Sequence, residues 1–86
     1  MKIKFGPFYN CDNQASVYAD GKEMGLAFRH RKDGRVYRYV AFLYGDLYGR
    51  EGDNWEAEEH VCGEHPNRAK ARLRKRISRE LSEALR

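Results

Sequence analysis

The sequence contains no apolar run long enough to cross a bilayer, for which a helix needs about 20 apolar residues. Residues 1–5 also lack the apolar stretch of a signal peptide. We therefore expect a soluble, cytoplasmic protein with no membrane partner. Internal repeats and low-complexity linkers are missing as well. The 86 residues should then form a single domain, residues 1–86, around one modest core.

Cysteine is scarce, because Cys11 and Cys62 are the only two in the chain. A disulfide between them is not needed for folding. Aromatic residues make up 13% of the sequence and supply much of the apolar area that offsets chain entropy. We expect both cysteines to be free thiols.

The familiar catalytic motifs are absent. The sequence has no nucleophile elbow, no phosphate-binding glycine loop and no HExxH pair. Six carboxylates could in principle gather around a metal for hydrolysis: Asp46, Glu51, Asp53, Glu56, Glu58 and Glu59. A solvated acidic segment explains them more simply, so we expect a protein that is not an enzyme.

A zinc site is a second hypothesis for these side chains. His60, Cys62 and His65 follow one another closely, and Cys11 would supply a fourth donor of the kind that zinc accepts. No Cys-x-x-Cys pair is present, and Cys11 would have to be brought in by a distant loop. A small cysteine beside two surface histidines is the simpler interpretation, and we expect no metal or cofactor.

Alternating residues and two turn signals predict an antiparallel meander. Residues 2–5 and 55–62 alternate as strands do, and Asp20-Gly21 and Asp33-Gly34 each suit a two-residue hairpin turn. With turns of that length, Val17 lies opposite Met24 and His30 lies opposite Tyr37. The glycine-containing residues 44–54 form a long loop or a frayed strand end.

This register sorts the side chains onto two faces, since neighbours along a strand point in opposite directions. The predicted core face carries Ala15, Val17, Met24, Leu26, Phe28, His30, Tyr37, Tyr39, Ala41 and Leu43. The predicted open face carries Ser16, Tyr18, Glu23, Ala27, Arg29, Arg31, Val36, Arg38, Val40 and Phe42. A single helix covers only one of them.

Residues 67–86 are predicted to form the helix that covers the core face. Apolar side chains recur on one stripe with the 3.6-residue period of a helix that packs on a core: Ala69, Leu73, Ile77, Leu81, Ala84 and Leu85. Pro66 suits the first helical turn, and Asn67 is the alternative cap. The predicted fold is α+β, with an antiparallel sheet of about four strands and one long C-terminal amphipathic helix packed on one face.

Charge is distributed very unevenly. From Pro66 onward there are eight Lys and Arg against two Glu, whereas residues 45–65 carry seven acidic residues and one arginine. Clustered cations are typical of a surface that binds phosphate. The sequence thus predicts a small nucleic-acid-binding accessory protein whose phosphate contacts come from Arg68, Arg72, Lys75, Arg76 and Arg79. A second basic surface on the sheet is formed by Arg29, Arg31 and Arg38.

Two other interpretations compete with this one. The acidic segment could neutralise the helix within the fold. Alternatively, the charge blocks could complement a host protein, as in a phage-like inhibitor or adaptor that a mobile element encodes to block a nucleic-acid-handling enzyme. Val40 and Phe42 on the open face allow either a monomer or a homodimer.

The second half of the chain resembles the C-terminal part of a double-stranded RNA-binding domain. Three strands are followed by a helix that opens Asn67-Arg68-Ala69-Lys70-Ala71, and the last helix of such domains opens with basic residues that face phosphates. The resemblance implies binding to duplex RNA. The chain lacks the N-terminal helix of that family, and the strand before its last helix carries Glu56, Glu58 and Glu59. We therefore do not assign the chain to that family. The same element order suits small DNA-binding modules.

Overall fold

The computed structural model of the protein describes residues 1–8, 13–45 and 54–84, with the side chain of Ala84 left out. It confirms the α+β class. The sheet has five strands rather than about four, because the short strand near the N-terminus and the strand before the helix both join it. The elements are β1 (Ile3–Phe5), β2 (Gln14–Ala19), β3 (Lys22–Lys32), β4 (Arg35–Leu43), β5 (Trp55–His60) and α1 (Pro66–Ala84).

The sheet is a simple meander in which each strand pairs antiparallel with the next, in the order β1-β2-β3-β4-β5. Both predicted hairpin turns are confirmed. Asp20 and Gly21 have φ angles of 49° and 85°, and Asp33 and Gly34 have φ angles of 53° and 76°. Two consecutive positive φ angles are typical of the tight turn that matches strand twist.

Two β-bulges shift the register away from the prediction. One lies between Val17 and Tyr18, so that Val17 pairs with Gly25 and not with Met24. The other lies between His30 and Arg31, so that His30 pairs with Arg38 and not with Tyr37. Each bulge places an extra residue in one strand, and a shift of one residue exchanges the two faces.

The middle of β3 is therefore inverted relative to the predicted faces. Leu26, Phe28 and His30 were predicted on the core face, but they lie on the face away from the helix, because their partners are Phe42, Val40 and Arg38. Ala27 and Arg29 instead share the helix-covered face with Ala41 and Tyr39. Near the second turn, the predictions for Tyr37 and Val36 are also wrong: Tyr37 is exposed and Val36 packs against the core.

The core lies between α1 and this face of the sheet. Ala69, Leu73, Ile77 and Leu81 of the predicted stripe have no exposed surface at all. They pack on a set of buried side chains from the strands: Ile3, Val17, Ala19, Met24, Ala27, Tyr39, Ala41, Leu43 and Ala57. The remaining stripe members, the side chain of Ala84 and Leu85, lie outside the described residues. The helix contacts β4, β5 and β1, so both edge strands reach it.

The helix begins at Pro66, and His65 rather than Asn67 caps it. The backbone N–H of Asn67 donates to Nδ1 of His65 at 3.2 Å, and the N–H of Arg68 donates to the His65 carbonyl at 3.0 Å. Pro66 at the first helical position has no N–H to satisfy. Within the described part of the chain, no helix combines the length and apolar character that crossing a membrane would require.

Candidate functional site

The basic side chains of α1 fall into three groups according to what they contact. We call Arg72 and Arg76, which face β5, the clamp. We call Arg68, Lys75 and Arg79, which point away from the sheet, the crest. We call Lys70 and Arg74, on the side nearer β1, the flank. The sequence alone placed clamp and crest residues in one phosphate-binding set.

The clamp residues are ion-paired with the acidic segment. Arg72 contacts the carboxylate of Glu64 and, at 3.4 Å, that of Glu59, while Arg76 contacts the other oxygen of Glu59 at 3.2 Å. The hydrogen bond to Glu64 raises the pKa of the Arg72 guanidinium above its ordinary value. The acidic segment thus neutralises part of the helix, as one of the competing interpretations expected.

The clamp also covers the free edge of the sheet. Arg72 donates to the carbonyl of His60 at 2.9 Å, and Arg76 donates to the carbonyl of Glu58 at 2.8 Å. Both carbonyls belong to β5, an edge strand whose other side pairs with β4. Carbonyls without a hydrogen-bond partner on an edge strand can pair with a strand of another molecule. The two arginines therefore act structurally, because they tie the helix to β5 and occupy its hydrogen-bonding edge.

The crest is free of such contacts. All three of its side chains are exposed, and no carboxylate of residues 1–8, 13–45 or 54–84 forms an ion pair with them. With a helical rise of about 1.5 Å per residue, Arg68 and Arg79 lie about 16 Å apart along the axis. The crest is thus a row of cations open to solvent.

The flank extends this positive surface towards the sheet. Nζ of Lys70 lies 5.2 Å from the centre of the Phe8 ring, and the guanidinium carbon of Arg29 lies 5.1 Å from the same centre. Partial burial lowers the pKa of the Lys70 ammonium, and the positive charges of Arg74 and Arg29 lower it further. Lys70 is therefore close enough to both Arg74 and Arg29 to be affected by their charges.

A groove between the flank and β1 adjoins this cluster. It has a volume of about 250 Å³ and is open to solvent. Its lining combines apolar, hydroxyl and basic side chains: Met1, Ile3, Ala71, Arg74, Lys75 and Ser78. Lys2, which precedes β1, and Lys4, within it, are both exposed and line a separate pocket with Tyr18 and Asp20. The β1 side of the molecule is thus basic, whereas the β5 side carries the acidic residues.

The three sheet arginines do not form the single surface that the sequence predicted. Arg29 lies on the helix-covered face beside Phe8, Arg31 is exposed near the second turn, and Arg38 lies on the opposite face. Arg38 is engaged there by Glu58 at 3.1 Å. The bulge between His30 and Arg31 separates Arg38 from Arg29 and Arg31, whose cross-strand partners Tyr39 and Val36 both belong to the helix-covered face.

The four candidate zinc ligands are not assembled in the described part of the chain. Cys62 is an exposed free thiol whose Sγ lies 3.8 Å from the His60 carbonyl, and His65 caps the helix. Nε2 of His60 lies 3.5 Å from Oε1 of Glu58. Cys11 lies outside the described residues. Residues 1–8, 13–45 and 54–84 contain no cluster of three metal-binding side chains. Asp46, Glu51 and Asp53, three of the six carboxylates considered for hydrolysis, also lie outside them.

No protein-family model, curated protein or solved structure matches the chain.

Sequence reasoning missed Phe8 and the flank. Phe8 stacks edge-on with Tyr39 at 5.9 Å and with Phe5 at 6.3 Å between ring centres, and so fixes the region where Arg29 and Lys70 meet. Lys70 and Arg74 were noted only as neighbours of the apolar stripe. Their approach to β1 depends on how the helix crosses the sheet, and helical periodicity does not specify that crossing.

Proposed function

We propose that this protein binds the phosphate backbone of a nucleic acid through the crest and the flank of α1. The observation that carries the proposal is the division of the helix cations. Arg72 and Arg76 are neutralised by Glu59 and Glu64. The crest and Arg74, by contrast, are exposed and have no ion-pair partner within the described residues.

The crowding of like charges supports the same function. Lys70 lies near the positive charges of Arg74 and Arg29, which add to the effect of burial in lowering the pKa of its ammonium. A bound phosphate would stabilise the charged form of Lys70, and residues with perturbed pKa values are common at functional sites. Arginine also suits phosphate well, since its guanidinium can donate two parallel hydrogen bonds.

The affinity of such a surface depends on how many phosphates it neutralises, because each contact releases condensed counterions. It carries little sequence specificity, since phosphate contacts fix position and not base identity. We therefore expect binding to duplex and single-stranded nucleic acids with modest sequence preference.

The test is fluorescence anisotropy with labelled duplex RNA, duplex DNA and single strands, at low and near-physiological salt. The combined variant Arg68→Gln, Lys75→Gln and Arg79→Gln removes the crest. For duplex DNA near physiological salt, losing three phosphate contacts should weaken binding on the order of 100-fold.

A matched control removes the same amount of charge elsewhere. Lys22, Lys32 and Arg35 are exposed residues beside the two hairpin turns. Their combined change to glutamine lowers the net charge equally but should leave most of the affinity intact. Equal losses in both variants would show that only net charge matters. Absence of binding in the wild-type protein would favour the protein-binding inhibitor or adaptor instead.

A further inference from the structure

The face of the sheet away from α1, which we call the outer face, carries an apolar patch at its centre. Leu26 pairs with Phe42 and Phe28 with Val40, so the four side chains form a block across β3 and β4. The Phe28 and Phe42 rings meet edge-on at 5.6 Å. None of the four belongs to the core cluster beneath the helix. In the described part of the chain no helix or strand covers this block. Leu26, Phe28 and Phe42 remain partly accessible, whereas Val40 is buried, with 5% of its surface exposed.

The borders of the patch do not suit nucleic acid. On one side lie Glu56 and Glu58 of β5, which pair with Phe42 and Val40. On the other lie Gln14 and Ser16 of β2, which pair with Phe28 and Leu26. The Glu56 carboxylate would repel phosphate, and Glu58 is already paired with Arg38 at 3.1 Å. An apolar centre with a polar border is instead the usual anatomy of a protein interface.

The arrangement is complementary to itself. Consider a two-fold axis that lies in front of the outer face, above the line between β3 and β4 and parallel to these strands. It places the β2 border of one copy over the β5 border of the other. Gln14 then faces Glu58, so that an amide donor meets a carboxylate. Ser16, whose hydroxyl donates to Glu23 within the same chain at 3.5 Å, faces Glu56. At the centre, Phe28 lies over Val40 and Leu26 over Phe42. Two sheets that pack with nearly aligned strands form a sandwich of this kind.

We propose that the outer face is a self-association surface and that its occupant is a second copy of this chain. The resulting dimer is a two-sheet sandwich with one helix on each outside face. This inference is independent of nucleic-acid binding, because the crest and the flank lie on the opposite side of the sheet. The patch is small beside a standard interface of about 800 Å² per partner, so the dimer should be weak, with a Kd in the micromolar range or above.

Sedimentation equilibrium over a range of protein concentrations tests the proposal. Gln14 is exposed, and its neighbour in the dimer is Glu58. Charges of opposite sign introduced at Gln14 should therefore change the dimer affinity in opposite directions. Gln14→Lys should tighten the dimer and Gln14→Glu should loosen it. Each change acts twice per dimer, so we expect shifts of about 2- to 10-fold in Kd in opposite directions. The same exchanges at Ser82, on the helix, should leave Kd unchanged.

Leu26→Lys addresses the apolar centre. Burying that ammonium at the interface would cost far more than a weak dimer gains, so the variant should stay monomeric, while Ser82→Lys dimerises like the wild type. Circular dichroism reports whether the Leu26 variant folds. If it does not, the Gln14 pair decides the question alone. A wild-type protein that is monomeric up to millimolar concentration, or a dimer indifferent to both Gln14 charges, would overturn the proposal.

Discussion

Gly25 shows how strongly a single residue constrains this sheet. It lies in β3 opposite Leu43, on the helix-covered face, and a Cβ placed there would be 2.0 Å from the Phe42 carbonyl oxygen and 2.9 Å from Leu43 Cα. Both are backbone atoms, which have little freedom to move. Only a residue without a side chain fits this close approach.

Gly25→Ala should therefore destabilise the protein by about 2 to 3 kcal/mol, in the range of overpacked core substitutions. Gly6→Ala is the matched control, since a Cβ placed at Gly6 would have its nearest neighbours at 3.6 Å, an ordinary contact distance. We expect a change of at most about 0.5 kcal/mol there. Urea denaturation of both variants measures the difference, and equal midpoints would contradict the packing described for β3 and β4.

The cap of α1 is also a single-residue feature. His65→Ala removes the acceptor for the Asn67 N–H and should cost about 0.5 to 1 kcal/mol of the free energy of unfolding, whereas His65→Ser retains an acceptor and should keep most of it. Thermal unfolding followed by circular dichroism compares the two. A serine variant as unstable as the alanine variant would argue against capping by this side chain.

At the scale of elements, the two hairpins and the helix follow directly from local signals. The Asp-Gly pairs predicted both turns, and the period of Ala69, Leu73, Ile77 and Leu81 predicted the buried stripe. The bulges could not be predicted in this way. They depend on contacts between strands, and no local pattern marks them. Because each bulge exchanges faces, they account for the wrong placement of Leu26, Phe28 and Arg29.

The contact between α1 and β5 gives a prediction at the same scale. Arg76→Met keeps the aliphatic stem but loses the hydrogen bond to the Glu58 carbonyl and the ion pair with Glu59, so it should cost about 1 kcal/mol of stability. Exposure of the β5 edge should also increase aggregation.

Arg79→Met is the matched control for this change, because Arg79 is exposed on the same helix and forms no ion pair with the described residues. Its stability should change by no more than about 0.5 kcal/mol. Urea midpoints and light scattering measure the two effects. If both variants were equally stable and equally soluble, the clamp would not secure the edge strand.

At the scale of the whole molecule, the fold separates charges that the sequence only lists in blocks. The acidic segment and the clamp neutralise each other on the β5 side, and the β1 side remains basic. The sequence correctly indicated that the helix is the basic element. It could not show which of its cations the fold uses, because that depends on which side of the helix faces β5.

Crest cations are proposed to be available for phosphate and clamp cations are not, and the salt dependence of duplex DNA binding distinguishes the two groups. Each phosphate contact contributes about 0.9 to the slope of log Kobs against log salt. The crest variant should lower that slope by about 3, whereas Arg72→Gln with Arg76→Gln should leave it nearly unchanged while lowering stability. A slope that falls with the clamp variant and not with the crest variant would contradict the account.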